Sequence, residues 1–417
     1  MSLAATSLLL ISLSAAPAPQ KVTLIFGGDV IPHEPVKKVA EKHARFSKDG
    51  TPLNDYGWGH VFGPLSPVFR AYDFAIVNLE TPVTREEQKE VKEMLFNAPP
   101  ALLAGLKSSG VDVATFANNH CLDMHPEGIT STRDELDAVG LLTAGAGRTE
   151  AEAWKPLILE KNGVRIALIA VSRWLNKFHN KGGPGDPHVP VVPYLEEPIG
   201  GGRTFDEFFA HIRETAKTVD AVIVTIHWGA EYVHEPMSYD RELTRGMLDA
   251  GALVVIGSHP HVLQPVVPQR LRDGRVGVVA YSLGNLVSNQ DYNVADGTKR
   301  DGLLLGLEVT RTKPGGPVIV TKVTPVGIGT ENRTGREHRN VQPVVLDDEI
   351  AAVKERLAEL SFRESKATTK ERRSLVDRLD ILEVRQRRVR EMIGAVPGMP
   401  SPAVQPGAIP MGAMPVR

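Results

Sequence analysis

The sequence predicts an α/β fold with a helical hairpin at its C-terminal side, and three observations carry that prediction. Short apolar runs alternate with helical patterns between residues 22 and 326, as strands interleaved with helices do. The charged stretch near the end changes to an apolar period of three and four residues, which marks amphipathic helices. The chain has 417 residues and is 42% hydrophobic, enough apolar side chain for a sizeable core.

Residues 1–19 hold an apolar run over 3–13, too short to span a bilayer. Small residues at Ala16 and Ala18 come next in Ala-x-Ala spacing. This reads as a signal peptide and an exported chain, with a short buried helix as the alternative. Strands are expected over 22–26, 74–77 and 111–116, the last after a helix over 100–109. Asn162-Gly163 marks a hairpin turn before a strand over 166–171. Helices over 205–217 and 240–249 precede strands over 221–226 and 253–256. Strands over 276–281, 303–309 and 318–326 complete a main domain spanning 20–330. The Gly- and Pro-rich stretch over 180–202 reads as a long loop.

Beyond it, Ile350, Val353, Leu357 and Leu360, then Leu375, Leu379, Leu382, Val389 and Ile393, place two amphipathic helices within 346–394. The short linker makes them an antiparallel pair packed on the main domain, with a coiled-coil dimer as the alternative. Their Arg-rich run VRQRRVR reads as a solvated face, with contact to an anionic polymer or membrane surface as the sharper alternative. The Pro/Gly-rich stretch over 395–417 reads as disordered.

Charge and cysteine content narrow the function. Forty-eight basic residues against fifty acidic ones give a net charge of −2, which argues against a chain built to hold nucleic acid. A single cysteine rules out an intramolecular disulfide and a cysteine-clustered zinc site.

The informative pattern lies at the ends of the strands: Gly27-Gly28-Asp29, then Asn78-Leu79-Glu80, Asn118-Asn119-His120, His227-Trp228-Gly229 and Gly257-Ser258-His259-Pro260-His261. Each has a bland reading as a turn, a polar loop or a core histidine. Together, at strand C-termini that share one edge of an open α/β sheet, they point to a site. In an extended segment His259 and His261 would face the same way. Two carboxylates, amide oxygens and three or four imidazoles without a thiolate suit zinc, manganese or iron at an open hydrolytic site. The donors exceed the needs of one ion. That predicts two divalent ions sharing a carboxylate and activating water to hydroxide. Asp123 and Glu231 are placed to orient His120 and His227 through the imidazoles' other N–H, with an ordinary helix cap or surface carboxylate as the bland reading of each.

The motifs GGDVIPH, IVNLETPVT, ANNHCLD, IHWGAEY, IGSHPHVLQP and YSLGN, in that order over residues 22–288, resemble those of the CapA-type capsule-synthesis family. That family looks like a branch of the metallophosphatase-like superfamily. The resemblance implies a four-layer sandwich of two mixed β-sheets flanked by helices, with a metal centre at the strand C-termini. It implies metal ligation by Asp29, Glu80 (bridging, where the superfamily has Asp), Asn119, His227, His259 and His261, and a general-acid role for His120. The superfamily's Asp-x-His becomes Asp29-Val30-Ile31, with His33 two residues later. Asn285 is expected to contact substrate or metal-bound water. Trp228 reads equally as pocket wall or core, and Cys121 as a buried filler.

The resulting expectation is an exported metal-dependent hydrolase acting on a phosphoester or on poly-γ-glutamate or another cell-envelope polymer, in contact with capsule-synthesis membrane machinery. The alternative is a non-catalytic capsule-assembly accessory that binds an anionic surface polymer in the same cleft.

Overall fold

The computed structural model describes residues 20–86, 95–193, 202–290, 298–334, 339–361 and 366–394. The expected signal peptide, the Pro/Gly tail and residues 194–201 of the long loop lie outside the described residues. Among the described residues, no helix is long and apolar enough to cross a membrane.

The chain forms β1 (Gln20–Val30), β2 (Phe74–Leu79), β3 (Val113–Phe116), β4 (Leu142–Gly145) and β5 (Leu157–Lys161). It continues with β6 (Val164–Ser172), β7 (Ala221–His227), β8 (Ala252–Ser258), β9 (Val266–Arg270) and β10 (Val276–Ala280). It ends with β11 (Asn285–Val287), β12 (Asp301–Arg311), β13 (Val318–Thr334) and β14 (Arg339–Val345). One sheet runs β14-β13-β12-β1-β2-β3-β4 with β11 beside β1, and the other runs β5-β6-β7-β8-β10-β9. Both mix parallel and antiparallel pairs.

The layering follows from side-chain alternation. Leu24 and Phe26 of β1 and Ile166, Leu168 and Ala170 of β6 meet in the core between the sheets. Ile25 faces the other way, toward a helical layer holding Val36, Phe62, Leu102, Leu103 and Ile129. Ala167, Ile169 and Val171 face helices that contribute Phe208, Ile212, Leu243 and Met247. Two mixed sheets flanked by helices are thus observed, as expected. The Asn162-Gly163 hairpin is present, with positive φ at both residues (51° and 74°), the geometry of a type I′ turn.

Several elements differ from expectation. β1 runs past residue 26 through Gly27-Gly28-Asp29 because the short parallel strand β11 joins it, pairing Asp29 with Asn285. The close approach requires glycine. A Cβ on Gly28 would sit 1.8 Å from the Gly284 carbonyl oxygen. β4, β9, β11 and β14 were not expected: β4 and β11 are too short for a visible period, and β9 is mostly exposed.

The C-terminal helices, Leu346–Leu360 and Lys366–Ile393, pack together, and their apolar faces join the inter-sheet core. Leu346, Val353, Leu382, Val389 and Ile393 are buried in it. The Arg-rich run is not uniformly solvated. Arg385 is buried and bonds Asp301 Oδ1 at 2.6 Å, while Arg387 and Arg390 remain exposed. Gln386 is buried too, with its Nε2 donating to Asp347 at 2.6 Å.

Candidate metal centre

The five strand ends, expected on one sheet edge, divide between two sheets: β1, β2 and β3 in one and β7 and β8 in the other. Their C-terminal ends converge across the sandwich, so the site lies over the inter-sheet core rather than in one sheet's crevice.

Glu80 stands at the middle. It is completely buried, and neither carboxylate oxygen has a hydrogen-bond partner. Its Oε1 lies 3.5 Å from His227 Nε2, 3.6 Å from His261 Nε2 and 4.0 Å from His120 Nε2. Burial, then the nearby charges of Asp29 and Glu231, raise its pKa well above the carboxylate range.

Each remaining member is held by a second group. Asp29 accepts from Asn78 Nδ2 at 2.8 Å and from the His259 backbone N–H at 3.2 Å. His227 Nδ1 meets Ser258 Oγ at 2.9 Å, which turns Nε2 toward Asn119 Oδ1 at 2.8 Å and His259 Nδ1 at 3.1 Å. His261 Nδ1 lies 3.0 Å from Asn285 Oδ1 and 3.2 Å from Asp29 Oδ2. His120 Nδ1 lies 2.7 Å from Asp123 Oδ2, a carboxylate that also accepts the Phe96 N–H at 2.7 Å. Burial, then neighbouring imidazoles, hold His227 and His259 well below the ordinary histidine value, so both rings stay neutral and free to donate lone pairs.

His259 and His261 do not lie in an extended segment. Both take positive φ, 96° and 56°, a region that side-chain-bearing residues rarely adopt. The bend around Pro260 still brings both rings to Glu80, and strain held at such a point is a mark of a functional site.

The donor set fits divalent metal. Glu80, His259 and His261 form one group, and Asp29, Glu80 and His227 another, with each group's ligand atoms within 4.8 Å of one another. Glu80 is common to both. A buried carboxylate without a partner is costly unless a cation accompanies it, and neutral imidazoles beside it are the ligands such a cation takes.

Other expected residues take various places. Glu231 does not meet His227, whose Nδ1 goes to Ser258; it bears on the field at Glu80 and Tyr232. Asn285 turns its oxygen to His261 Nδ1. His33 lies at the margin. Its Nδ1 accepts the Asn289 N–H at 3.1 Å, and burial, then His261 and His120, hold it down at about 4. Trp228 is core, stacked on Tyr281 with its Nε1 donating to the Tyr281 carbonyl at 2.9 Å. Cys121 is buried, and burial pushes its thiol pKa up.

Two neighbours carry no motif of their own. Trp174 packs edge-on against His259 with centroids 4.2 Å apart, and Asn176 accepts from Asn119 Nδ2 at 3.0 Å. Both come after β6 in the stretch before the long loop, and only their position after a strand end could have flagged them.

The chain resembles several known proteins. It is 30% identical over 310 residues to the PGA biosynthesis protein CapA of Bacillus subtilis, covering 73% of each chain. It is 28% identical to the capsule biosynthesis protein CapA of Bacillus anthracis, covering 66% of this chain and 61% of that one. It is 23% identical to a Mycobacterium tuberculosis protein described as "Probable polyglutamine synthesis accessory protein", covering 74% and 86%. A solved structure described as a novel phosphatase of Mycoplasma pneumoniae aligns with a TM-score of 0.38 at 15% identity, over 74% of this chain and 94% of that one. The family model described as bacterial capsule synthesis protein PGA_cap matches residues 23–290. That span takes in every side chain that surrounds Glu80, and the chain belongs to the bacterial capsule synthesis protein family.

Proposed function

We propose that this chain is an exported, metal-dependent hydrolase of cell-envelope polymer metabolism, acting on a phosphoester or a γ-glutamyl amide bond. The observation that carries the reading is Glu80, buried with two unpartnered oxygens and surrounded by imidazole nitrogens. Asp29, Glu80, Asn119, His227, His259 and His261 would hold two divalent ions, of manganese, zinc or iron, Glu80 being common to both donor groups. Bound there, such ions supply Lewis acidity and activate water near neutral pH.

The chain's own residues do the rest. Ser258 and Asn285 fix the ring orientations of His227 and His261, as outer partners of ligating imidazoles do. Asp123 holds His120 Nδ1, which leaves Nε2 aimed at the cleft to give a proton to the departing oxygen or nitrogen. Trp174 covers His259 and excludes water from that side.

Elemental analysis of purified protein, followed by assays on phosphoesters and γ-linked glutamyl peptides, tests the reading. Stoichiometric metal and turnover lost on chelation are expected. Metal at background, or unchanged turnover in a His259→Ala/His261→Ala variant, refutes it. A second reading is favoured by the accessory description of the mycobacterial relative. In it the same cleft binds an anionic polymer without cleaving it, and metal-dependent polymer binding without turnover would select it.

A further inference from the structure

The hydrolase reading leaves unused a group at the mouth of the centre and the helix that holds it. The segment Thr298–Arg300 forms one 3-10 turn before β12. The Lys299 carbonyl accepts from Asn285 Nδ2 at 2.9 Å, and the same Asn285 holds His261. The Lys299 Nζ lies 4.1 Å over the ring centroid of Tyr232, whose ring is 6.2 Å from that of His261. Tyr232 takes φ of 63°, held there by its N–H bond to the Pro260 carbonyl at 2.8 Å. An aromatic residue in the left-handed region is strained, so the ring is kept at this spot against a local preference.

The other side of the turn is fastened from the C-terminal end of the chain. Arg385, on the last helix, bonds Asp301 Oδ1 at 2.6 Å and the Arg300 carbonyl at 3.0 Å. Arg388 reaches Asp301 Oδ2 at 3.3 Å. Arg385 and Asp301 are both buried, and β13 makes room for them: a Cβ on Gly329 would lie 2.2 Å from Arg385 Nη2. A buried ion pair adds little net stability over an apolar pair of equal volume. What this one does is fix the geometry of the turn that carries Lys299.

We propose that Lys299, seated on the Tyr232 ring, is an anion-binding residue at the mouth of the metal centre, and that Arg385 is a positioning residue that holds it there through Asp301. The group recognised is an oxyanion beside the scissile bond, either a phosphate or a carboxylate of a γ-linked glutamyl chain. Cation–π contact keeps the ammonium over the ring, and a charge-assisted hydrogen bond is the strongest contact a single lysine offers such a ligand. Carried by the turn, Lys299 also links the C-terminal helices to the cleft, with Asn285 bonded to both the turn and His261. This deepens the hydrolase reading and rests on it.

Calorimetric titration of the full chain loaded with Mn2+ tests it, with inorganic phosphate and γ-glutamyl-glutamate as separate probes. Lys299→Gln should weaken binding of at least one probe about tenfold, and the probe affected identifies the source of the oxyanion. Lys299→Arg should restore most of the loss, and Mn2+ content should stay that of the wild type. Arg385→Gln should weaken the same probe by a smaller factor, again with Mn2+ retained. Equal binding by wild type and Lys299→Gln, wild type that binds neither probe, or loss of Mn2+ in Lys299→Gln overturns the proposal. If the wild type takes up no metal, the hydrolase reading falls separately. Lys299 is then judged by γ-glutamyl-glutamate binding to the metal-free chain, with the same supporting and overturning outcomes.

Discussion

At the scale of the residue, Glu80 is the carboxylate common to both groups that could hold a metal. Burial and the adjacent Asp29 raise its pKa above its ordinary value of 4.5, so without a cation the carboxyl carries a proton at pH values where a surface glutamate has none. A cation must displace that proton. Metal binding should therefore release protons, and apparent affinity should rise with pH. The neutral His227 and His259 add no protons to that release near neutrality. Mn2+ titrations at a series of pH values should show that rise in apparent affinity. Glu80→Gln should abolish it and weaken binding at least about 100-fold, the upper range for losing even an outer partner of a ligand. A wild-type affinity that does not change with pH would contradict this assignment. The acidic and imidazole residues were all legible as types at strand ends. Which nitrogen of His227 and His261 faces Glu80 was not, because Ser258 and Asn285 set it from other elements; Asp123, three residues from His120 in the same loop, was expected to orient that ring and lies against it.

At the scale of the element, the approach of β11 to β1 positions Asp29. β1 and the residue just before β11 touch backbone to backbone at Gly28 and Gly284, with the Asp29 N–H bonded to the Gly284 carbonyl at 3.1 Å. Gly28→Ala puts a methyl into that contact with rigid backbone opposite. It should destabilise the fold by more than about 3 kcal/mol, at the upper end of overpacking, as a lower thermal midpoint reports. Gly63→Ala is the control. Nothing lies within 4 Å of its Cβ, and its effect should stay within about 0.5 kcal/mol. Helix and strand positions with clear periods, such as those of β6, β7 and the C-terminal pair, were readable because period 2 and period 3.6 are local properties. β4 and β11 were not, since three or four residues carry no period. The solvated face expected for the Arg-rich run fails at Arg385, because a buried acid across the fold, Asp301, receives it.

At the scale of the molecule, the C-terminal helices are part of the core rather than an appendage. Leu382 is fully buried and packs in the inter-sheet cluster with Leu303, Leu305 and Val323. Leu382→Ala should cost about 2–5 kcal/mol, the range for deleting a buried leucine side chain. Denaturant unfolding should show it as one cooperative transition with a lower midpoint. A separate early transition confined to the C-terminal helices would show that they fold independently. The sandwich explains why the centre sits where it does. Strand ends from both sheets open over one shared apolar layer, which lowers the local dielectric and strengthens the interactions among the clustered charges.

The sequence by itself determined the α/β class, the hairpin turn, the amphipathic C-terminal pair and the residue types that gather at strand ends, all of which rest on local periodicity and local backbone preference. Only the tertiary structure decided that these ends come from two sheets, that Ser258 and Asn285 orient the His227 and His261 rings, and that Arg385 turns inward to the segment bearing Lys299. The physical reason is separation along the chain. The His259 N–H bonds the carboxylate of Asp29 across 230 residues. No local propensity encodes such a contact. It exists because the packed sandwich brings the two strand ends together.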